Sequence, residues 1–256
     1  LGAGHSALAQ QPPTAGSPPA PPFESEWASG LQVIFTPFLP LAGTNAAIST
    51  PLPRAPTVNA SVGAFQTLGH LDGVPVTGAI EISDGPFSLW GNAFHIPVGT
   101  SITTRNIFFS GGSASLITNE GTADLLYHLL ETPPQSLDAG VGFRAWSIVA
   151  DLTLNGRIAR TTTLAREAYW QDPLIAARYH RDFGNGFGGT VYADFGGFGV
   201  GAHVDWQVIG TIDYELKPWV ALRAGYFSLN FDYAQGYNLG FNVHMKGPLL
   251  AASFRF

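Results

Sequence analysis

Residues 203–215, His-Val-Asp-Trp-Gln-Val-Ile-Gly-Thr-Ile-Asp-Tyr-Glu, alternate. Val204, Trp206, Val208, Ile212 and Tyr214 fall on one face of an extended chain, and Asp205, Gln207, Thr211 and Asp213 on the other. After Leu216-Lys217-Pro218 the pattern resumes at Trp219, with Val220, Leu222, Ala224 and Tyr226 opposite Arg223. A period of two places one side of a strand in an apolar medium and the other in a polar one. Strand-like stretches of the same kind lie near 26–37, 74–83, 86–97, 118–131, 137–149, 170–182, 186–198 and 239–256, so about ten strands are expected. Nowhere does the chain hold the run of about 18 apolar residues that would cross a bilayer as a helix.

Only 12% of residues are charged while 45% are hydrophobic, which leaves too little charge to cover a water-facing surface. Without a helical span, the remaining way to cross lipid is a closed barrel, in which every backbone donor and acceptor finds a partner. Abundant Gly and Phe beside a single Met suit strands and turns. The expected fold is therefore all-β, a closed antiparallel transmembrane β-barrel of about ten strands, with eight or twelve as alternatives. The absence of cysteine excludes a disulfide framework and cysteine-ligated metal sites, and a net charge of −6 gives no support to nucleic-acid binding.

The chain divides unevenly. Residues 1–9 read as the remnant of a signal peptide, closing on the small-x-small triplet Ala7-Leu8-Ala9 with cleavage expected after Ala9. Residues 10–25 form a proline-rich linker, and 26–256 a single barrel. Within it, prolines break 38–72, which is expected as a long loop or an insert in the lumen. Val62–Asp72 has the pattern of a short amphipathic helix, and two strands in this stretch would bring the total to twelve.

Motifs for chemistry are few. Gly184-Asn185-Gly186-Phe187-Gly188-Gly189 has the letters of a dinucleotide fingerprint, but a strand rather than a helix follows, so these are turn glycines. There is no Gly-x-Ser-x-Gly elbow and no His-Glu-x-x-His zinc helix. His203 and Asp205 share a strand face and would need a third ligand such as His180 or His244 to hold a metal; a polar lumen pair is the simpler reading. Ser88 and His95, candidates for a lipid-modifying enzyme, have opposite parity.

If apolar residues face lipid, the lumen receives Glu81, Asp124, His128, Arg144, Asp172, Arg178, His180, Asp194, Asp205, Asp213, Arg223, His244 and Lys246. Charges of both signs in a narrow barrel form either a structural network or a polar conduit. Barrels of roughly eight strands are filled by side chains, so about ten favours a largely plugged interior. Tyr214, Trp219 and Tyr226 are placed for an aromatic girdle at the membrane interface.

Ser253-Phe254-Arg255-Phe256 at the C-terminus, Tyr214–Tyr233 and Asp194–Gly201 together resemble outer-membrane β-barrel proteins of Gram-negative bacteria. Within them the chain is similar to an uncharacterised group with Trp-x-Asp-Pro, Gly-Gly-Phe-Gly and a terminal Gly-Pro-Leu-Leu. These read here as Trp170–Pro173, Gly196–Gly199 and Gly247–Leu250, and the similarity covers about 170–256. One departure is Phe227, which stands where such relatives tend to have arginine. The resemblance implies an integral outer-membrane location, outer-membrane lipid and lipopolysaccharide as surroundings, and Phe254 and Phe256 as the signal read by the barrel-assembly machinery. It implies no cofactor and no established activity, and it leaves the oligomeric state open.

Two registers meet in the last strand. Counting back from Phe256 puts Phe254, Ala252, Leu250 and Pro248 toward lipid, whereas Phe241, Val243 and Met245 are the apolar face higher up. A bulge or register change is therefore expected near Gly247-Pro248. The expected function is a non-enzymatic integral barrel with a structural or restricted-permeability role. The alternatives are an outer-membrane lipid-modifying enzyme and a secreted soluble β-sandwich binding protein.

Overall fold

The computed structural model describes residues 30–49, 58–63, 69, 71, 75–102, 109–156, 161–234 and 240–256. The expected signal-peptide remnant, the proline-rich linker and most of the expected helix at 62–72 lie outside them. Twelve strands form one antiparallel sheet: β1 (Gln32–Pro40), β2 (Gly43–Ser49), β3 (Val58–Val62), β4 (Val76–Asp84), β5 (Phe87–Ile102), β6 (Phe109–Thr132), β7 (Gln135–Gly156), β8 (Thr162–Gly184), β9 (Phe187–Gly196), β10 (Val204–Lys217), β11 (Val220–Ala234) and β12 (Gly240–Arg255).

β1 pairs with β4 on one side and with β12 on the other, so β1 and β4 to β12 close a ten-strand barrel. The closure includes the last residue, since the Phe256 N–H donates to the Val33 carbonyl at 2.9 Å. β2 continues β1 in the same register against β12, with Pro40 opposite Leu249 and Gly43 opposite Lys246. β3 folds back on β2. The described part of 38–72 thus adds strands to the wall, and its Leu71 bridges Val98 and packs against the interior core.

One rim carries the tight turns. β4–β5, β6–β7, β8–β9 and β10–β11 are each joined by two residues, closing at Asp84–Phe87, Thr132–Gln135, Gly184–Phe187 and Lys217–Val220. In the β8–β9 hairpin Asn185 and Gly186 both have positive φ, 58° and 79°, the type I′ geometry that matches strand twist. The glycine run therefore makes a turn and no nucleotide site. The opposite rim carries the longer connections and is uneven, because β6, β7 and β8 run to 24, 22 and 23 residues while β9 has 10.

Side-chain polarity inverts along the barrel axis. Near the tight-turn rim the outward residues are apolar and exposed, among them Phe35, Ile80, Leu125, Val141, Ile175 and Leu222. Inward positions at this level hold Glu81, Asp124, Arg178 and Asp213. Higher up the assignment reverses. On β11 the outward series passes from Leu222, Ala224 and Tyr226 to Ser228, Asn230 and Asp232, while the inward series passes from Arg223 to the buried Phe227, Leu229, Phe231 and Tyr233.

β12 makes the same change without any backbone irregularity. It pairs with β11 in one register from Phe254 opposite Val220 to Gly240 opposite Ala234. The expected bulge at Gly247-Pro248 is absent. What alters is which side of the wall is apolar: the outer side below and the inner side above, the pattern of a barrel whose lower wall meets an apolar medium and whose upper wall meets water. For the same reason His244 and Lys246 are corrected from the lumen to the outer surface. His244 bonds the outward Ser228 hydroxyl at 2.9 Å and lies 6.1 Å from the Trp206 ring, and Lys246 is exposed between buried Met245 and Gly247.

Gly247 nevertheless has a local role. A Cβ there would sit 2.0 Å from the Leu41 carbonyl oxygen, closer than any side chain tolerates. Beside it Pro248 accepts from the Leu41 N–H at 2.9 Å but has no N–H to return, which is why the ladder lapses between β1 and β2.

Candidate functional site

The other eleven predicted lumen residues point inward, and all but Asp172 gather into three clusters. The largest is centred on Arg144 of β7, whose side chain is fully buried. Its Nε donates to Glu120 at 3.1 Å and to Thr122 at 2.8 Å, both on β6. Nη1 donates to Asp205 of β10 at 2.6 Å; Nη2 donates to Asp194 of β9 at 2.6 Å and to Gln207 at 2.9 Å. The Tyr192 hydroxyl lies 2.5 Å from Asp124 and 2.9 Å from Asp194, and the Trp146 indole donates to Asp205 at 2.7 Å. One guanidinium thus ties the β6–β7 part of the wall to the β9–β10 part across the lumen. The arrangement is sensitive to loss of that group, because removing one partner from a buried ion cluster costs about 3–5 kcal/mol.

A second cluster is a closed ring near the tight-turn rim. Arg178 donates to Glu81 and to Asp138, each at 2.8 Å. Asp138 bonds His128 Nδ1, His128 Nε2 lies 3.4 Å from Ser88, and Ser88 meets Ser83 at 2.8 Å. Ser83 returns to Glu81 at 3.4 Å. Ser88 has a histidine partner after all, though not His95, which faces outward and bonds Asn119 at 2.6 Å. In the third cluster Asp213 accepts from Thr190 and Thr211, each at 2.8 Å, with Arg223 at 3.5 Å and His180 reaching Thr190 at 3.1 Å.

Asp172 belongs to a different device. Its carboxylate accepts from the Trp170 indole at 2.9 Å and from the Ala202 N–H at 2.6 Å, so it pins the connection between β9 and β10 over β8. Gly201 is required in that connection, because a Cβ would meet the Gln171 carbonyl at 2.6 Å and the Trp170 ring at 2.7 Å. The Trp-x-Asp-Pro segment and the glycine-rich segment after β9 are therefore two sides of one contact. Above it stands an aromatic stack: Trp170 lies 4.1 Å from Tyr233 and 5.8 Å from Trp146, with Phe231 4.3 Å from Trp146.

Between the ionic clusters and the β1–β4 wall lies a cavity of about 100 Å³, bordered by Thr36, Glu81, Trp90, Asn92, Arg178 and Arg223. His203 is exposed while Asp205 is committed to Arg144 and Trp146, so the two do not form a ligand pair; among the described residues no group of three could hold a metal ion. Tyr214 and Trp219 are exposed near the tight-turn rim, and Tyr226 is exposed where the outward series changes polarity. Phe256 is 79% exposed and Phe254 is half-buried on the outer face.

Sequence reasoning missed Glu120, Thr122, Asp138, Tyr192 and Gln207 as members of the network, although each shares the parity of a residue that was assigned inward. It had no means of finding Trp146, since an inward tryptophan contradicts an apolar-outside rule.

A ten-strand antiparallel closure, an outward apolar band and a polar interior beneath it define the fold of an outer-membrane β-barrel. Among solved structures, the chain is similar to the outer-membrane protease OmpT of Escherichia coli, with TM-score 0.57 and 9% identity over 90% of this chain and 98% of that one. It is also similar to Ail, the attachment invasion locus protein of Yersinia pestis (TM-score 0.35, 8% identity, 89% of this chain and 99% of that one). Neisserial surface protein A gives TM-score 0.35 and 10% identity over 89% and 99%. No family model matches the chain, and no curated protein does.

Proposed function

We propose that the chain is an integral barrel of the bacterial outer membrane whose lumen is stoppered by the Arg144 cluster, and that it serves as a structural wall of restricted permeability with no enzymatic activity. The observation that carries this reading is the fully buried guanidinium with partners on β6, β9 and β10, which leaves the axis occupied by side chains. In this reading the tight-turn rim faces the periplasm. Reconstituted protein in planar bilayers is expected to give no stable conductance steps, and regular ion-conducting steps would overturn the plugged reading. Unheated and boiled samples in detergent are expected to migrate differently on a denaturing gel, as a closed barrel does.

Phe254 and Phe256 support recognition by the barrel-assembly machinery, since both lie on the outer face of the closing strand. Removing Phe256 is expected to lower the folded fraction in cells, while refolding of the purified variant from urea into detergent proceeds. Tyr214, Trp219 and Tyr226 serve as interface anchors in the same reading.

A second reading has one specific observation behind it. Ser88, His128 and Asp138 stand in the order of a nucleophile, base and orienting acid. Ser88 is only 1% exposed and its hydroxyl also meets Ser83, which favours a structural role. Covalent labelling of Ser88 by a fluorophosphonate would favour hydrolysis, and absence of labelling favours the wall.

A further inference from the structure

Above the Arg144 cluster, inside the water-surrounded part of the barrel, lies a second cavity of about 130 Å³. Ala46, Leu71, Ile96, Val98, Phe231 and Phe241 form much of its surface, and among the described residues the polar side chains bordering it are Thr44 and Thr118. Interiors are normally packed to the density of organic crystals, so a void this large in an otherwise aromatic core is unusual. It offers water almost no partners. A cavity on the order of 150 Å³ with walls of Leu, Ile and Phe stays dry and takes up benzene.

The neighbouring wall is thinly paired among the described residues. β5 pairs with β6 as far as Ile102, but on its other side the pairing with β4 ends at His95 opposite Val76. Beyond that, among the described residues, the Leu71–Val98 bridge is the link, and Pro97 has no N–H to offer a neighbour. Below, the cavity adjoins the lower one through the shared residues Pro40, Ile96 and Met245, and the ionic clusters close the floor.

From this geometry we propose that the upper lumen is a binding site for a small apolar molecule of single-ring size, a monocyclic aromatic or a comparably short hydrocarbon. Volume selects the size, and the apolar character of the described lining residues selects the apolar class. The site lies above the plug and does not depend on whether the barrel conducts.

Bromobenzene and the full chain folded in detergent provide the test. Phe231 touches the cavity and its ring lies 4.3 Å from that of Trp146 and 5.4 Å from that of Trp170, so a heavy-atom quencher held there darkens both. The native protein is expected to show a saturable loss of tryptophan fluorescence above the linear quenching of exposed Trp219. Ala46→Phe fills the cavity from β2 and is expected to weaken the saturable component at least tenfold while leaving the linear one. Val243→Ala, on the facing position of β12, enlarges the cavity and is expected to keep saturable quenching and extend it to bromonaphthalene. Only linear quenching in the native protein, or an undiminished saturable component in folded Ala46→Phe, would overturn the proposal. Should Ala46→Phe fail to fold, loss of saturable quenching in folded Val243→Ala would do the same.

Discussion

The lower and upper halves of β12 share one strand and one register against β11, with β1 on the other side of the lower half and β2 on the other side of the upper, yet they follow opposite rules. Below Gly247 the outward residues are Pro248, Leu250, Ala252 and Phe254; above it they are Asn242, His244 and Lys246. The inward set changes in the complementary sense, from Ser253 and Arg255 to Met245, Val243 and Phe241. The difference teaches that alternation reports the parity of a strand but not which parity is inside. That sign is set by what surrounds the barrel at each height, and one chain crosses both media.

The largest effect is expected from breaking the lower interior. Arg144→Ala leaves Glu120, Asp194 and Asp205 buried around an empty position, and should cost about 3–5 kcal/mol in urea unfolding followed by the gel shift. The upper interior should fail for a different reason: Phe231→Ala opens a void among Trp146, Trp170 and the cavity wall, a loss of about 3 kcal/mol in the same assay. A more direct contrast uses two outward positions of β12. Leu250→Lys places a charge in the apolar band and should cost about 2–4 kcal/mol, whereas Lys246→Leu should change stability by less than about 1 kcal/mol. Equal responses at the two positions would remove the distinction between the halves. The smallest effect is expected at the turn: Asn185→Ala, at φ 58°, should cost about 1 kcal/mol and leave both halves otherwise intact.

Against that contrast, the sequence was legible where the outer face is apolar. The strands at 74–83, 86–97, 170–182 and around 204–226 and the tight turns between them could be read from alternation and punctuation, because apolar-out there agrees with the rule applied. The upper extensions, 109–117 on β6, 150–156 on β7 and 162–169 on β8, were not legible. Small and polar outward residues such as Ser113, Asp151 and Thr163 give weak contrast, while Leu116 and Ala168 pack against a core that the rule did not anticipate. The same reversal produced the misplaced His244 and Lys246 and the bulge that does not exist. Of the candidate site, the charged members could be listed by parity, but their partition into three clusters depends on which strands face one another across the lumen. Nothing in the linear order of Glu81 and Arg178, separated by 97 positions, announces their contact.

The lengths of β6, β7 and β8 have a consequence for how the molecule meets its surroundings. A strand of 24 residues extends ~80 Å, and at a tilt of about 40° it still rises ~60 Å, against an apolar band of about 25 Å. In the outer-membrane reading proposed above, more than half of that height stands clear of the bilayer as a water-wetted palisade, taller on the β6–β8 side than over β9 and β10. A molecule approaching from the long-connection side would encounter this lopsided rampart well before it reached the headgroups.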